Sequence, residues 1–371
     1  MSKRMLGCVA ALLLTVMLLS GCAGNSADSQ FSRYALQGDA ALEKRTSQDV
    51  AGREVQLYKA GGKYAFLRQG YLLMAVNGEK GGIAYGLDLS GLNIPGDQLQ
   101  VLVAEGGSAV ALTMSGGTVY VWVPEDRKVY TVGQNDRTEA VWAFSPSGRY
   151  FLVEGAQTVR FDTRQDKKLI LSETDKPADT VFVNDKGQML LCAGGSCTWV
   201  NGQGDTTSFS LGERVLGLNA GGQAMAFRDG VITAHTKGQV RTLATIGADY
   251  RLIAHNSIWA AFSNGGDIRI VSLKNGKYQS YPVPPLGVQM CISNGGTRIL
   301  SAAEAPSASV WTGKEGAYSA LTWSPADEAR MTLLGEDALL WLQQEADGTW
   351  YLYKGDAKTG KQTVLCSITG A

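Results

Sequence analysis

Binding a structural metal needs three or four nitrogen, sulfur or carboxylate ligands brought to one point, and the chain carries only two histidines, His235 and His255. No His-x-x-x-His pair, Cys-x-x-Cys run or calcium-loop spacing accompanies them, so each imidazole reads as a turn or strand-end residue. Nucleophilic catalysis finds no Gly-x-Ser-x-Gly elbow; Gly106-Gly-Ser108 and Gly195-Ser196 are turn glycines beside a hydroxyl. Paired carboxylates occur at Glu125-Asp126, Asp327-Glu328 and Glu336-Asp337, each in a polar turn segment where solvation is the simpler role. Hydrolysis of a glycoside would need two of them facing one sugar across a cleft. Gly202-Gln-Gly204 lacks the strand-to-helix setting of a nucleotide loop. No catalytic, cofactor-binding or metal-binding residue is assigned, and the chain reads as a protein that is not an enzyme.

Cysteine chemistry is better marked, with six in the chain. Residues 1–21 begin with Ser2-Lys3-Arg4 and continue as an apolar run from Met5 to Leu19, shorter than the ~20 residues of a membrane span. The run closes on Leu19-Ser20-Gly21-Cys22, which resembles the lipobox of bacterial lipoproteins. That resemblance implies a signal peptide over 1–21, a diacylated Cys22 as the mature N-terminus, and a tether over 22–48. Two acyl chains hold a protein stably on a membrane where one holds weakly. The expected location is the outer side of a bacterial membrane. In a two-membrane envelope, Ala23 rather than Asp after the cysteine resembles lipoproteins sent to the outer membrane.

Leu191-Cys192-Ala-Gly-Gly-Ser-Cys197-Thr198 reads as a hairpin with a four-residue loop, which sets Cys192 opposite Cys197 at bridging distance. A disulfide there acts as a structural pin; a redox or metal pair would want Cys-x-x-Cys spacing and a nearby His. Cys291 and Cys366 are expected as buried thiols. Among the aromatics, Trp122, Trp199 and Trp311 fall at matching places in the repeat described below, a regularity that favours packing over ligand stacking. The run from Tyr278 to residue 285, with two Tyr and three Pro, is a binding edge or a stiff connector. Tyr278 and Tyr281 are its candidate contact residues.

Behind these side chains stands a repeated unit. Trp142-Ala-Phe144, Arg149-Tyr-Phe-Leu-Val-Glu154 and Thr158-Val-Arg-Phe-Asp162 are three short strands joined by Ser145-Pro-Ser-Gly148 and Gly155-Ala-Gln157, an antiparallel meander. Matching third strands, anchored at Tyr85, Val121, Phe161, Trp199, Thr233, Ile270, Val310 and Leu352, recur every 34 to 42 residues, near the about 40 of a four-stranded propeller blade. Eight anchors predict eight blades, or seven if the first copy is incomplete. A lone four-stranded sheet cannot cover its own two faces, whereas a closed ring lets each blade cover its neighbours. The propeller is expected over 49–371, with Arg53-Glu-Val-Gln-Leu-Tyr58 placed as a clasp pairing with the last blade.

Trp142-Ala-Phe-Ser-Pro-Ser-Gly-Arg-Tyr-Phe-Leu-Val and the looser Ile292-Ser-Asn-Gly-Gly-Thr-Arg-Ile-Leu resemble the Ser-Pro-Asp-Gly-Lys repeat of TolB-type and WD-repeat-like propellers. Val119-Tyr-Val-Trp and Ser309-Val-Trp are similar to the third strand of WD repeats, although no blade has the Gly-His start or full Trp-Asp end. The resemblance implies an all-β propeller, a fold that hosts many functions. Charge narrows them: 34 basic and 34 acidic residues cancel, so no basic field recruits nucleic acid. The expected role is a non-catalytic envelope scaffold for protein–protein interaction, touching the membrane through its lipid and partnered by another envelope protein. Two other readings are a binder or sensor of a glycan or peptide in the central channel, and a propeller lyase, lactonase or glycosidase.

Overall fold

The computed structural model describes residues 35–37, 54–89, 98–171, 177–211, 214–236, 239–282, 290–292, 298–304, 307–314, 317–323, 331–334, 338–356 and 359–368. Cys22, the pairs Asp327-Glu328 and Glu336-Asp337, residues 283–285 and the side chains of Cys291 and Trp311 lie outside the described residues.

One five-stranded and seven four-stranded antiparallel sheets follow one another along the chain; each four-stranded sheet is a meander in sequence order, and the five-stranded one is a four-stranded meander with one added edge strand. They are blades 1 (residues 55–88), 2 (100–134), 3 (141–171), 4 (180–210), 5 (214–245), 6 (251–282), 7 (290–323) and 8 (331–368). No α-helix occurs among the described residues. Burial explains the gradation of sequence within a blade. Middle strands such as Val110–Thr113 are buried at every position and read as continuous apolar runs. Outer strands such as Thr206–Ser210 alternate half-buried with exposed residues, and their polar side chains blunt the free edge against pairing with another chain.

The cores lie between blades, not within them. Phe66, Leu73 and Leu87 of blade 1 pack on Val110, Leu112 and Trp122 of blade 2. Val119 and Val121 of blade 2 meet Phe151, Val153 and Phe161 of blade 3, and further layers join blades 3 to 4, 4 to 5, 5 to 6 and 6 to 7. Each fully buried Leu, Val or Phe in such a layer is worth about 1.5–3 kcal/mol. The ring shuts where Val55, Leu67, Met74 and Val76 of blade 1 pack against Leu340, Leu342, Trp350 and Leu352 of blade 8. Gly82 N–H donates to Leu365 C=O at 2.7 Å across that seam, and Lys354 Nζ donates to Gly78 C=O at 2.8 Å.

Three expectations are corrected by this arrangement. The clasp is absent: Val55–Gly61 pairs with Tyr64–Gln69 as the innermost strand of its own blade, and blade 8 completes itself with Gln362–Ile368. Closure comes instead from side-chain packing and the hydrogen bonds of Gly82 and Lys354 across the seam. The anchor Tyr85 lies in the fourth strand of blade 1, Ile83–Asp88, whose third strand is Leu72–Asn77; the fourth strand in turn carries Ala35–Gln37 as an added edge. The match between Trp122 and Trp199 is also one residue out. Trp122 faces back onto blade 1 and Trp199 forward onto blade 5, because a slip of one position turns a strand side chain to the opposite face.

Candidate functional site

The described turns that link first to second strands leave the innermost strand on one face of the wheel, and neighbouring ones interlock. Gly106 N–H donates to Pro146 C=O at 3.0 Å, and Ser108 Oγ donates to Ser147 C=O at 2.7 Å. Ser147 N–H donates in turn to Asp185 Oδ1 at 3.0 Å. Asn184 Nδ2 reaches Asn219 C=O at 3.1 Å, and Asn256 Nδ2 reaches Ile292 C=O at 3.2 Å. Within each of those Asn turns the side-chain oxygen accepts local backbone amides: Lys186 and Gln188 at Asn184, Gly221 and Gln223 at Asn219, Ile258 and Trp259 at Asn256. A short amide that can fold onto its own backbone while reaching the next turn is what this place requires.

Two of these turns meet across the axis. Ser257 Oγ donates to Glu105 Oε2 at 3.0 Å, and the two residues belong to blades 6 and 2, opposite members of a ring of eight. His255, the last residue of its innermost strand, is solvent-accessible yet flanked by protein. Its imidazole is held below the ordinary histidine range first by burial and then by the Arg214 guanidinium of blade 5. The Glu105 carboxylate and a hydrogen bond with the Leu216 backbone pull the other way. A carboxylate, a hydroxyl and an imidazole thus gather at one mouth of the channel. Glu105 was legible only as the start of the Glu105-Gly-Gly107 turn; matching turns between blades is the signal that aims it at the axis.

Elsewhere the carboxylates are bound into the scaffold. Glu154 accepts from Thr158 Oγ1 and from Ala178 N–H at 3.0 Å, with Arg137 3.9 Å away. Burial resists ionisation of Asp162, but Arg149 at 2.9 Å and the amides of Arg164 and Gln165 outweigh it and hold the carboxyl below the usual range. Glu125 accepts from Lys63 at 3.1 Å and Tyr64 at 2.9 Å; burial, with that carboxylate, pushes the Tyr64 hydroxyl up to about 12. Among the described residues no group of three His, Cys, Asp or Glu is placed to hold a metal ion.

The rim candidates divide. Tyr278 is 43% exposed, and Tyr281 is 7% exposed. Tyr281 packs with Ile268 and Ile270 toward blade 7 and donates its hydroxyl to Gln279, so it is a core residue and not a rim contact. Both tyrosines belong to the outer strand Tyr278–Pro282, and three positions apart they point to opposite sides of it, since side chains alternate along a strand. His235 is buried beside Thr233, its Nε2 2.9 Å from that hydroxyl, and stacks on Phe209.

Cys192 and Cys197 are direct cross-strand partners and are joined as a disulfide with Cα atoms 4.1 Å apart. Both are buried in the layer between blades 4 and 5. The loop they close is small, so the bond contributes about 2 kcal/mol on a chain-entropy estimate. Chemical denaturation before and after reduction is expected to differ by that amount, and equal midpoints would show that the pin does not act on stability.

No protein family matches the sequence, and no curated protein does. Solved structures do. Over 92% of this chain and 79% of the other, the fold is similar to the dihydro-heme d1 dehydrogenase NirN in complex with DHE, at TM-score 0.52 and 11% identity. PorZ of Porphyromonas gingivalis gives a TM-score of 0.48 and 13% identity over 89% of this chain and 46% of that one. The WD40 domain of SCAP from fission yeast gives 0.44 and 13% over 73% and 86%. At such identities the likeness is one of fold: the chain is a β-propeller.

Proposed function

We propose that the chain is a non-catalytic envelope lipoprotein, a propeller held by a lipid on Cys22 to the outer side of a bacterial membrane, where it presents its loops to another envelope protein. The observation that carries this reading is the Cys192–Cys197 disulfide, a bond suited to an oxidising compartment and consistent with a leader over residues 1–21 that is followed by Cys22. Its non-catalytic character is supported by the way Glu125, Glu154 and Asp162 are used, each engaged by neighbours that fix a turn or a seam. A wheel whose turns interlock blade to blade holds its loops in fixed relative positions, which suits a docking platform.

Two measurements test it in sequence. Cys22→Ser should move the protein from the membrane fraction to the soluble one and abolish palmitate labelling; retention on membranes would end the anchor assignment. Cross-linking the anchored wild type and purifying it from membranes should return one envelope protein in constant ratio. Repeated recovery of the propeller by itself would remove the partner.

A further inference from the structure

The seam between the rims of blades 5 and 6 carries one sign of charge. Arg241 lies opposite Ala234 in the register of blade 5, and Tyr278 lies opposite Val271 in that of blade 6. Ala234 and Val271 are both buried in the layer between these two blades. Cross-strand partners share a side of their sheet, so Arg241 and Tyr278 point from facing blades into one seam. Its floor is backbone: a methyl group on Gly276 would stand 2.0 Å from the carbonyl oxygen of Leu243, two residues from Arg241. Lys274 and Lys277 flank that glycine, and Leu273 N–H donates to Ile258 C=O at 2.8 Å, which brings Ile258 to the same corner. The segments 239–245 and 272–282 contain three cations and no carboxylate. Arg241, Lys274 and Lys277 are exposed and make no ion pair among the described residues. Arg269 behind them is already engaged, 3.7 Å from the Asp267 carboxylate and donating to Ile246 C=O at 2.5 Å. Its guanidinium lies 5.3 Å from the centre of the Tyr278 ring and steadies that exposed ring from one side. Ile258 and Tyr278 are both large hydrophobic side chains left exposed.

We propose that this seam docks an acidic segment of a partner protein, a short stretch bearing several carboxylates and an apolar residue. The carboxylates meet Arg241, Lys274 and Lys277, whose unpaired charges steer and orient the segment. The apolar residue covers the exposed Tyr278 ring, removing it from water. The chain as a whole has no net charge, so this field is a local one and selects a place on the wheel. A flat anionic membrane would gain only about 1 kcal/mol for each of the three cations and would leave the seam between the two rims unfilled. The inference rests on the docking-platform reading and deepens it, by naming the face used and the chemistry of the partner.

The test uses the full chain held in phosphatidylcholine nanodiscs and a fluorescent glutamate-rich peptide with a central leucine, with its lysine-rich counterpart as control. The acidic peptide should bind saturably and more weakly as ionic strength rises, and the basic peptide should not bind. Arg241→Glu, and Lys274→Glu combined with Lys277→Glu, should each weaken binding by about tenfold or more. These side chains are exposed, so the unfolding midpoint should stay in place. Tyr278→Ser should weaken binding without changing its dependence on ionic strength, because it removes apolar contact and no charge. Lys361→Glu, at an exposed lysine of blade 8, should leave the affinity unchanged. An equal loss in Lys361→Glu, or none in the lysine reversals, would overturn the seam. Phosphatidylglycerol vesicles that bind through the same lysines while the peptide does not would overturn the protein partner. Peptide binding does not need the lipid on Cys22, so the envelope reading and the seam fail separately. Cross-linking to an envelope protein that the lysine reversals leave undiminished would keep the platform and overturn the seam as its docking face.

Discussion

Replacing Trp122 by alanine is expected to lower the unfolding free energy by about 3–5 kcal/mol. Trp122 is fully buried in the layer between blades 1 and 2, with Phe66 edge-on at 6.2 Å and 79°. Removing it empties the largest side chain from a seam that no other element can move in to fill, since both blades are held by their further neighbours. For a domain of this size the midpoint should fall by roughly 10 °C. Its indole N–H finds no acceptor among the described residues, so Trp122→Phe exchanges lost volume against a relieved buried donor and should cost only about 1 kcal/mol. Thermal or denaturant unfolding of the two variants checks the pair. A loss below about 1 kcal/mol for Trp122→Ala would mean that this seam is not a packed core.

The same residue shows how far the sequence could be read. That Trp122, Phe161 and Ile270 belong to buried third strands followed from the recurring pattern of apolar positions between glycine turns, because a strand buried on both faces writes itself as an unbroken apolar run. The face each one takes was not legible. Faces alternate every residue, and a misalignment of one position, as between Trp122 and Trp199, exchanges the neighbouring blade. The clasp failed for a related reason. Residues 53–58 carry a strand pattern, yet nothing local tells a strand whether its partner is the next hairpin or a blade some 300 residues away.

Side-chain roles divided along the same line. The Cys192–Cys197 pairing was visible because hairpin register is a local property. The exposure of Tyr278 and the burial of Tyr281 were not, because an outer strand is lined on one side by a neighbouring blade that the local sequence does not describe. The gathering of Glu105, His255 and Ser257 was least visible, since it depends on the number of blades that sets which turns face each other across the axis.

Glycine offers the second large effect, with a control built into the fold. Gly107 and Gly116 both have φ +65°, a conformation that costs a residue with a Cβ about 1–2 kcal/mol. Around Gly116 a methyl group would meet nothing within 4 Å, whereas on Gly107 it would stand 1.6 Å from the carbonyl oxygen of Gly61. The first turns of blades 1 and 2 nest backbone on backbone there, and neither can withdraw without opening the seam that holds Phe66 and Trp122. Gly116→Ala is therefore expected to cost about 1 kcal/mol, the backbone penalty less the entropy removed from the unfolded chain. Gly107→Ala adds a clash with backbone that no rotamer change relieves, for a total of about 4 kcal/mol or more, in the range that marks a specific structural fault. Denaturant unfolding of the two variants side by side isolates the nesting contact as their difference. Equal losses would show that the turns of blades 1 and 2 do not meet, and with them would go the close-packed ring of turns that brings Glu105 to the axis.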